Sequence, residues 1–167
     1  MIEALRALFT DPGLPSLHPL VVHFPIALVT IAPIFDLACL VFRDKVWLDR
    51  AASALYLAGT LGAGAAYLSG ERAAKALSSV SPAAESVLAD HEAQAVLTLA
   101  VLAAVALLRV TVSWLARNDR RIKIGIFRLL ALPAAIAALA MLALTADLGG
   151  KLVYKHGVGV EVQSLER

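Results

Sequence analysis

The chain has a single cysteine among 167 residues. One cysteine excludes an intramolecular disulfide, a CxxC redox pair and the CxxCH motif that attaches haem covalently. Cys39 lies in an apolar run and reads as a small buried hydrophobe. Charge is also scarce: 17% of residues are charged, against about 25% in a typical soluble domain. There is no Walker or dinucleotide fingerprint and no Ser/His/Asp or Cys/His nucleophile set. No internal repeat is visible, no low-complexity tract, and none of the inverted-repeat pattern of transporters. Before the first apolar run, Arg6, Asp11, Pro12 and Pro15 interrupt any signal-peptide core. The chain is therefore expected to be mature throughout, with residues 2–9 an amphipathic turn at a membrane surface.

What the sequence has in quantity is apolar surface. Hydrophobic residues make up 60% of the chain and the mean hydropathy is +0.79. A helix needs about 20 apolar residues to cross the hydrocarbon. Four stretches meet that length: 19–42, 51–69, 93–116 and 124–148. Four such helices in so short a chain leave no polar face for water. The expected fold is all-α: one domain over 1–167, an integral membrane four-helix bundle. A break at Gly149-Gly150 and the alternation of "VGVEV" predict a short extended C-terminal tail. Between the second and third spans, helix is expected up to Leu77. A Ser/Pro break follows, then a separate short helix over Ser81 to Leu88 with Pro82 in its first turn.

Basic residues set the orientation. Arg43, Lys45 and Arg50 link the first two spans, and Arg117, Arg120, Arg121, Lys123 and Arg128 link the last two. Arg6, Arg72, Lys75, Lys151, Lys155 and Arg167 are spread over the longer segments of the other side. The positive-inside rule places the two basic links in the cytoplasm and both termini in the periplasm of a bacterial inner membrane. Trp47 and Trp114 then sit at the cytoplasmic boundary, where aromatic residues gather. The topology accounts for the basic residues, so nucleic-acid binding is not expected.

All four histidines fall on the other side. His18 and His23 open the first span, His91 opens the third, and His156 follows the fourth. Ionisable groups at membrane depth are costly and mark function. Neutral imidazole suits iron, copper and zinc. A haem b needs two imidazoles from facing helices and no cysteine. On a regular helix His18 and His23 differ by about 140° and rise about 7.5 Å, so they do not share a face. His18 precedes Pro19 and falls at the helix cap. His23 is the better embedded and is the preferred ligand. The small residues of "GTLGAGAAYLSG", Gly62 among them, fit close helix packing or a flat macrocycle against a stripped face. Asp90, Glu92 and Asp147 are candidates to orient a ligand imidazole. Asp36 and Arg109 each lie 16 residues past Leu20 and Ala93, in parallel spans. At equal depth they are expected to pair.

"LHPLVVHFPIAL", the "HE" opening the third span, and "DLGGKLVYKHGVGV" after the fourth occur in order. Together they resemble the bacterial membrane family catalogued as domain of unknown function 2231. The matching positions are His18, Pro19, His23, Pro25, His91, Glu92, Gly149, Gly150, Tyr154, His156 and Gly157. Some relatives resemble fusions to Rieske-type or c-type cytochrome domains, which points to electron transfer.

The expectation is a membrane-embedded b-type haem protein in electron transfer. Its cofactor, one haem b or two, is held near the periplasmic face by His18, His23, His91 and His156. Gly62, Gly149, Gly150 and Tyr154 complete the expected site. It would be the membrane cytochrome subunit of an oxidoreductase, with a separate periplasmic cytochrome, a membrane complex or quinone as partner. The alternatives are copper, zinc or non-haem iron on the same histidines, or a structural subunit of a larger membrane redox complex.

Overall fold

A computed structural model describes residues 17–42, 45–77, 79–118 and 124–160. Its elements are α1 (His18–Val21), α2 (His23–Val41), α3 (Val46–Lys75), α4 (Pro82–Asn118) and α5 (Ile124–His156), with no strand among the described residues. Residues 2–9, the two basic linker cores and the last two residues of "VGVEV" lie outside them; Val158 and Gly159 of that stretch form a turn, not a strand. The boundary between α1 and α2 follows from Pro25. It has no N–H to offer Val21, so a helical bond is missing. Val22 keeps helical dihedrals (φ −62°, ψ −23°), and the two segments run on as one span.

Four helices are long and apolar enough to cross a membrane: His18–Val41, Val46–Lys75, Pro82–Leu115 and Leu132–His156. Large apolar side chains such as Leu20, Phe24, Ile34, Leu61, Leu107 and Ile136 point outward. That is the arrangement expected where lipid is the solvent and each helix satisfies its own backbone. The outward-facing Trp47 and Trp114 are at one end of the bundle. The helices adjoin in the cyclic order α2, α3, α4, α5 and back to α2, which sets α2 diagonally opposite α4. The core between them comprises Val29, Ala32, Tyr56, Leu102, Val105, Ala106, Ala135 and Ala138. At its tightest, a methyl group on Gly59 of α3 would lie 2.7 Å from Val29 Cγ2 on α2. Only glycine allows that approach.

Two predicted breaks are continuous helix. No separate helix ends at Leu88, because α4 runs unbroken from Pro82 to Asn118. Its start is fixed by Ser81, whose Oγ accepts from Ala84 N at 3.2 Å, with Pro82 at the position that has no bond to lose. Likewise Gly149-Gly150 does not end α5, which continues to His156. Termination falls to Gly157 in the left-handed region (φ +65°). Beyond it Val158 N returns to Leu152 O at 3.0 Å.

The bundle also contains an internal equivalence. Along α2 the buried positions are Pro25, Val29, Ala32, Asp36 and Cys39. Along α4 they include Thr98, Leu102, Val105, Arg109 and Val112. Each is displaced by 73 positions: 25 to 98, 29 to 102, 32 to 105, 36 to 109 and 39 to 112. His18 and His91 obey the same offset. The chain is thus two helical hairpins, α1–α3 and α4–α5, arranged about an approximate two-fold axis along the bundle. The residue types differ at nearly every pair, which is why no repeat is visible in the sequence.

Candidate functional site

Two polar clusters sit on this axis, one toward each end. The first is a histidine pair. His18 on α1 and His91 on α4 approach from diagonal corners, with ring centroids 6.5 Å apart and ring planes at 80°. Each is steadied by the next helix in the chain. His18 Nδ1 donates to Ala66 O of α3 at 2.9 Å, with Ser69 Oγ 3.2 Å away. His91 Nδ1 donates to Thr145 O of α5 at 3.0 Å. A carbonyl can only accept, so both rings carry their proton on Nδ1, and Nε2 is the nitrogen with the lone pair. A main-chain carbonyl on the remote nitrogen is the usual way to fix a ligand imidazole.

The equivalence extends to these supports. Ala66 O and Thr145 O correspond at an offset of 79 positions, and so do Gly70 and Gly149. A methyl group on Gly70 would lie 3.0 Å from His18 Cε1, and one on Gly149 would lie 3.2 Å from His91 Cε1. Each hairpin therefore supplies one imidazole, one carbonyl to orient it, and one glycine a turn later to make room for it. Beneath His91 a hydroxyl ladder braces α4 on α5. Thr98 Oγ1 donates to Gln94 O at 2.8 Å and meets Thr145 Oγ1 at 2.7 Å.

The other candidate residues are placed as follows. His23 is exposed, its Nδ1 donating to Pro19 O at 2.5 Å. It is His18, and not His23, that faces His91. The five-residue spacing turns the two onto different faces, and the one at the cap is turned inward. His156 is half-buried at the end of α5, roughly 16 Å along the helix from Thr145. Gly62 packs on Pro25, a methyl group on Gly150 would lie 3.9 Å from Tyr154 Cδ2, and Tyr154 is exposed. Among the described residues, main-chain carbonyls and not carboxylates meet the Nδ1 atoms of His18 and His91. Asp147 pairs with Lys151 at 2.5 Å, and Asp90 and Glu92 are exposed. Gly70 was read only as one of the small residues of "GTLGAGAAYLSG", and the matching spacings Ala66–Gly70 and Thr145–Gly149 were the signal that could have singled it out. Among the described residues no group of three or more His, Cys, Asp or Glu is gathered to hold a metal ion.

The second cluster lies about 27 Å along the axis, the rise of the 18 residues from His18 to Asp36 and from His91 to Arg109. Arg109 Nη2 meets Asp36 Oδ1 at 2.6 Å, with both side chains almost wholly buried. This is the pair that equal depth predicts. Tyr56 O–H donates to Asp36 Oδ2 at 2.9 Å. Asp49, in the first turn of α3, lies 3.4 Å from Arg109 Nη1 and accepts from Ser113 Oγ at 2.7 Å.

Fold and site together define an integral four-helix membrane protein with a two-imidazole site near one end of the bundle. The chain belongs to the family described as predicted membrane protein (DUF2231), whose model matches residues 14–162. No curated protein and no solved structure matches it.

Proposed function

We propose that this protein is a b-type haem protein of the bacterial inner membrane that transfers electrons. Its haem is held between His18 and His91 at the periplasmic end. The observation that carries this reading is the separation of the two rings. Two imidazoles bound to opposite sides of one metal, each with a metal–nitrogen bond of about 2.0 Å, place their ring centres about 6.3 Å apart. The observed distance is 6.5 Å. The tautomers suit it, since in both histidines Nδ1 is the nitrogen bonded to a main-chain carbonyl. Two protein ligands are what a porphyrin iron takes, because the macrocycle fills the other positions.

The small residues favour this cofactor as well. A macrocycle held between the histidines would have α3 and α5, the two helices that supply the orienting carbonyls, as its neighbours. At that level these helices carry Ala66 and Gly70 on α3 and Thr145 and Gly149 on α5. One imidazole pair supports one haem, not two. With the basic linkers in the cytoplasm, the pair faces the periplasm. There a separate cytochrome or membrane complex would exchange electrons with it, with quinone as the partner on the membrane side.

A second reading has one specific support. The 6.5 Å between the ring centres is also compatible with a single copper(I) ion, which is content with two nitrogen donors. Zinc and non-haem iron prefer three or more protein ligands and are less well served by this pair. The oxidised and reduced absorption spectra of the purified protein, with metal analysis, test both readings. Haem gives a Soret band and reduced α and β bands that His18→Ala and His91→Ala abolish. Copper without porphyrin would replace the haem reading, and neither cofactor would overturn both.

A further inference from the structure

We propose that the Asp36–Arg109 ion pair selects which hairpin assembles with which, and thereby sets His18 opposite His91. The inference stands whatever ligand the histidines hold. It begins from the equivalence of the two hairpins. Their buried positions share one register, and most are small or aliphatic: Val29 with Leu102, Ala32 with Val105, Cys39 with Val112. Apolar faces so alike do not discriminate. The first hairpin of one chain could pack on the first hairpin of a second copy about the same two-fold axis, with the register of the buried positions preserved. Such a bundle would place His18 against His18 and leave each second hairpin without its partner.

Charge removes that degeneracy. Among the buried equivalent positions of α2 and α4, one has both residues ionised, and there the first hairpin carries an acid and the second a base. In the intact chain they meet at 2.6 Å with 2% and 1% of their side-chain surfaces exposed. In the mispaired bundle Asp36 would face Asp36, and in its counterpart Arg109 would face Arg109. Like charges opposed at membrane depth are far costlier than any difference among the apolar contacts. The flanking groups are distributed with the same polarity. Asp49 and Tyr56 both come from the first hairpin, and both reach toward the Asp36–Arg109 contact. The equivalent of Tyr56 on α5 is Ala135, at the offset of 79. A single buried polar pair that fixes pairing among similar apolar helices is a known specificity device in coiled coils. Asp36 and Arg109 are positioning residues. They touch no ligand and act on the site through the choice of partner.

The test uses the full-length chain in membranes, in a Cys39→Ala background, with thiols introduced at the histidine positions and a short bis-maleimide as probe. With native charges, His18→Cys with His91→Cys cross-links within one chain, and His18→Cys alone gives no cross-linked dimer. Asp36→Arg or Arg109→Asp lowers the intrachain product by about tenfold or more, and the exchange D36R with R109D restores it. The decisive variant replaces both charges by leucine, a change that buried ion pairs often tolerate without loss of stability. In D36L/R109L the His18→Cys thiol alone is expected to give a cross-link between chains, since no buried charge then opposes homotypic pairing. If D36L/R109L keeps its full intrachain product and shows no interchain product, the ion pair does not select the partner. Full intrachain cross-linking in D36R would overturn the proposal equally.

Discussion

The glycines facing the two imidazoles allow a graded prediction. Substituting Gly70 by alanine sets a Cβ 3.0 Å from His18 Cε1 and 3.2 Å from its Nδ1. Comfortable contact begins at about 3.5 Å, so the ring must move by about 0.5 Å. Gly149→Ala sets its Cβ 3.2 Å from His91 Cε1 and 3.7 Å from Nδ1, which asks for about 0.3 Å. The bond from His18 Nδ1 to Ala66 O is 2.9 Å long. A shift of about 0.5 Å along the bond carries it past the limit of about 3.2 Å for a good N–H···O bond. Losing it costs about 1 kcal/mol, or about fivefold in ligand affinity. Loss of orientation in a ligand histidine extends the range toward about a hundredfold.

Gly64 is the control, because a methyl group there meets nothing within 4 Å. Alanine at that position gains up to about 1 kcal/mol of helix propensity. Titration of haemin into the detergent-solubilised apoprotein measures all three. The expected order of weakening is Gly70→Ala, then Gly149→Ala, with Gly64→Ala unchanged. Equal binding by Gly70→Ala and the wild type, or a loss in Gly64→Ala as large as in Gly70→Ala, would refute the reasoning.

Three further outcomes are expected. His23→Ala and His156→Ala retain the haem spectrum that His18→Ala loses, because neither residue faces His91; absorption spectra of the purified variants check this. Tyr56→Phe removes the O–H bond to Asp36 and lowers stability by about 1–2 kcal/mol, as expected for a hydrogen bond to a charged group, read as a lower midpoint of thermal unfolding in detergent. Thr98→Val breaks the contact with Thr145 at a cost of about 0.6–1 kcal/mol, the usual scale for side-chain bonds between membrane helices. The same unfolding measurement applies, and no change in midpoint would show that α5 is braced elsewhere.

The parts of the fold that depend on length and hydropathy are legible in the sequence. Four spans follow from runs of about 20 apolar residues, and the Asp36–Arg109 contact follows from equal depth in parallel helices. What fails to be legible depends on packing. Gly149-Gly150 looks like a helix end because glycine is a poor helix former, yet against the His91 ring it is needed inside the helix. His23 looks better embedded than His18 by its place in the run. Its phase on the helix turns it outward, while the cap residue finds Ala66 O inside. The equivalence of the two hairpins is hidden because it lies in burial and register, with Pro25 matched to Thr98 and Tyr56 to Ala135.

The spacing of the two polar clusters bears on the direction in which this protein can work. Between the histidines and the Asp36–Arg109 contact lies an apolar layer of Val29, Ala32, Leu102, Val105 and Ala138. At about 27 Å along the axis, that layer is an electrical insulator. A redox centre at the histidine pair would thus have its traffic confined to one surface of the bilayer, with donor and acceptor taking turns at the same doorway. Such a centre would work as a lateral relay, and charge movement across the membrane would have to occur in its partners.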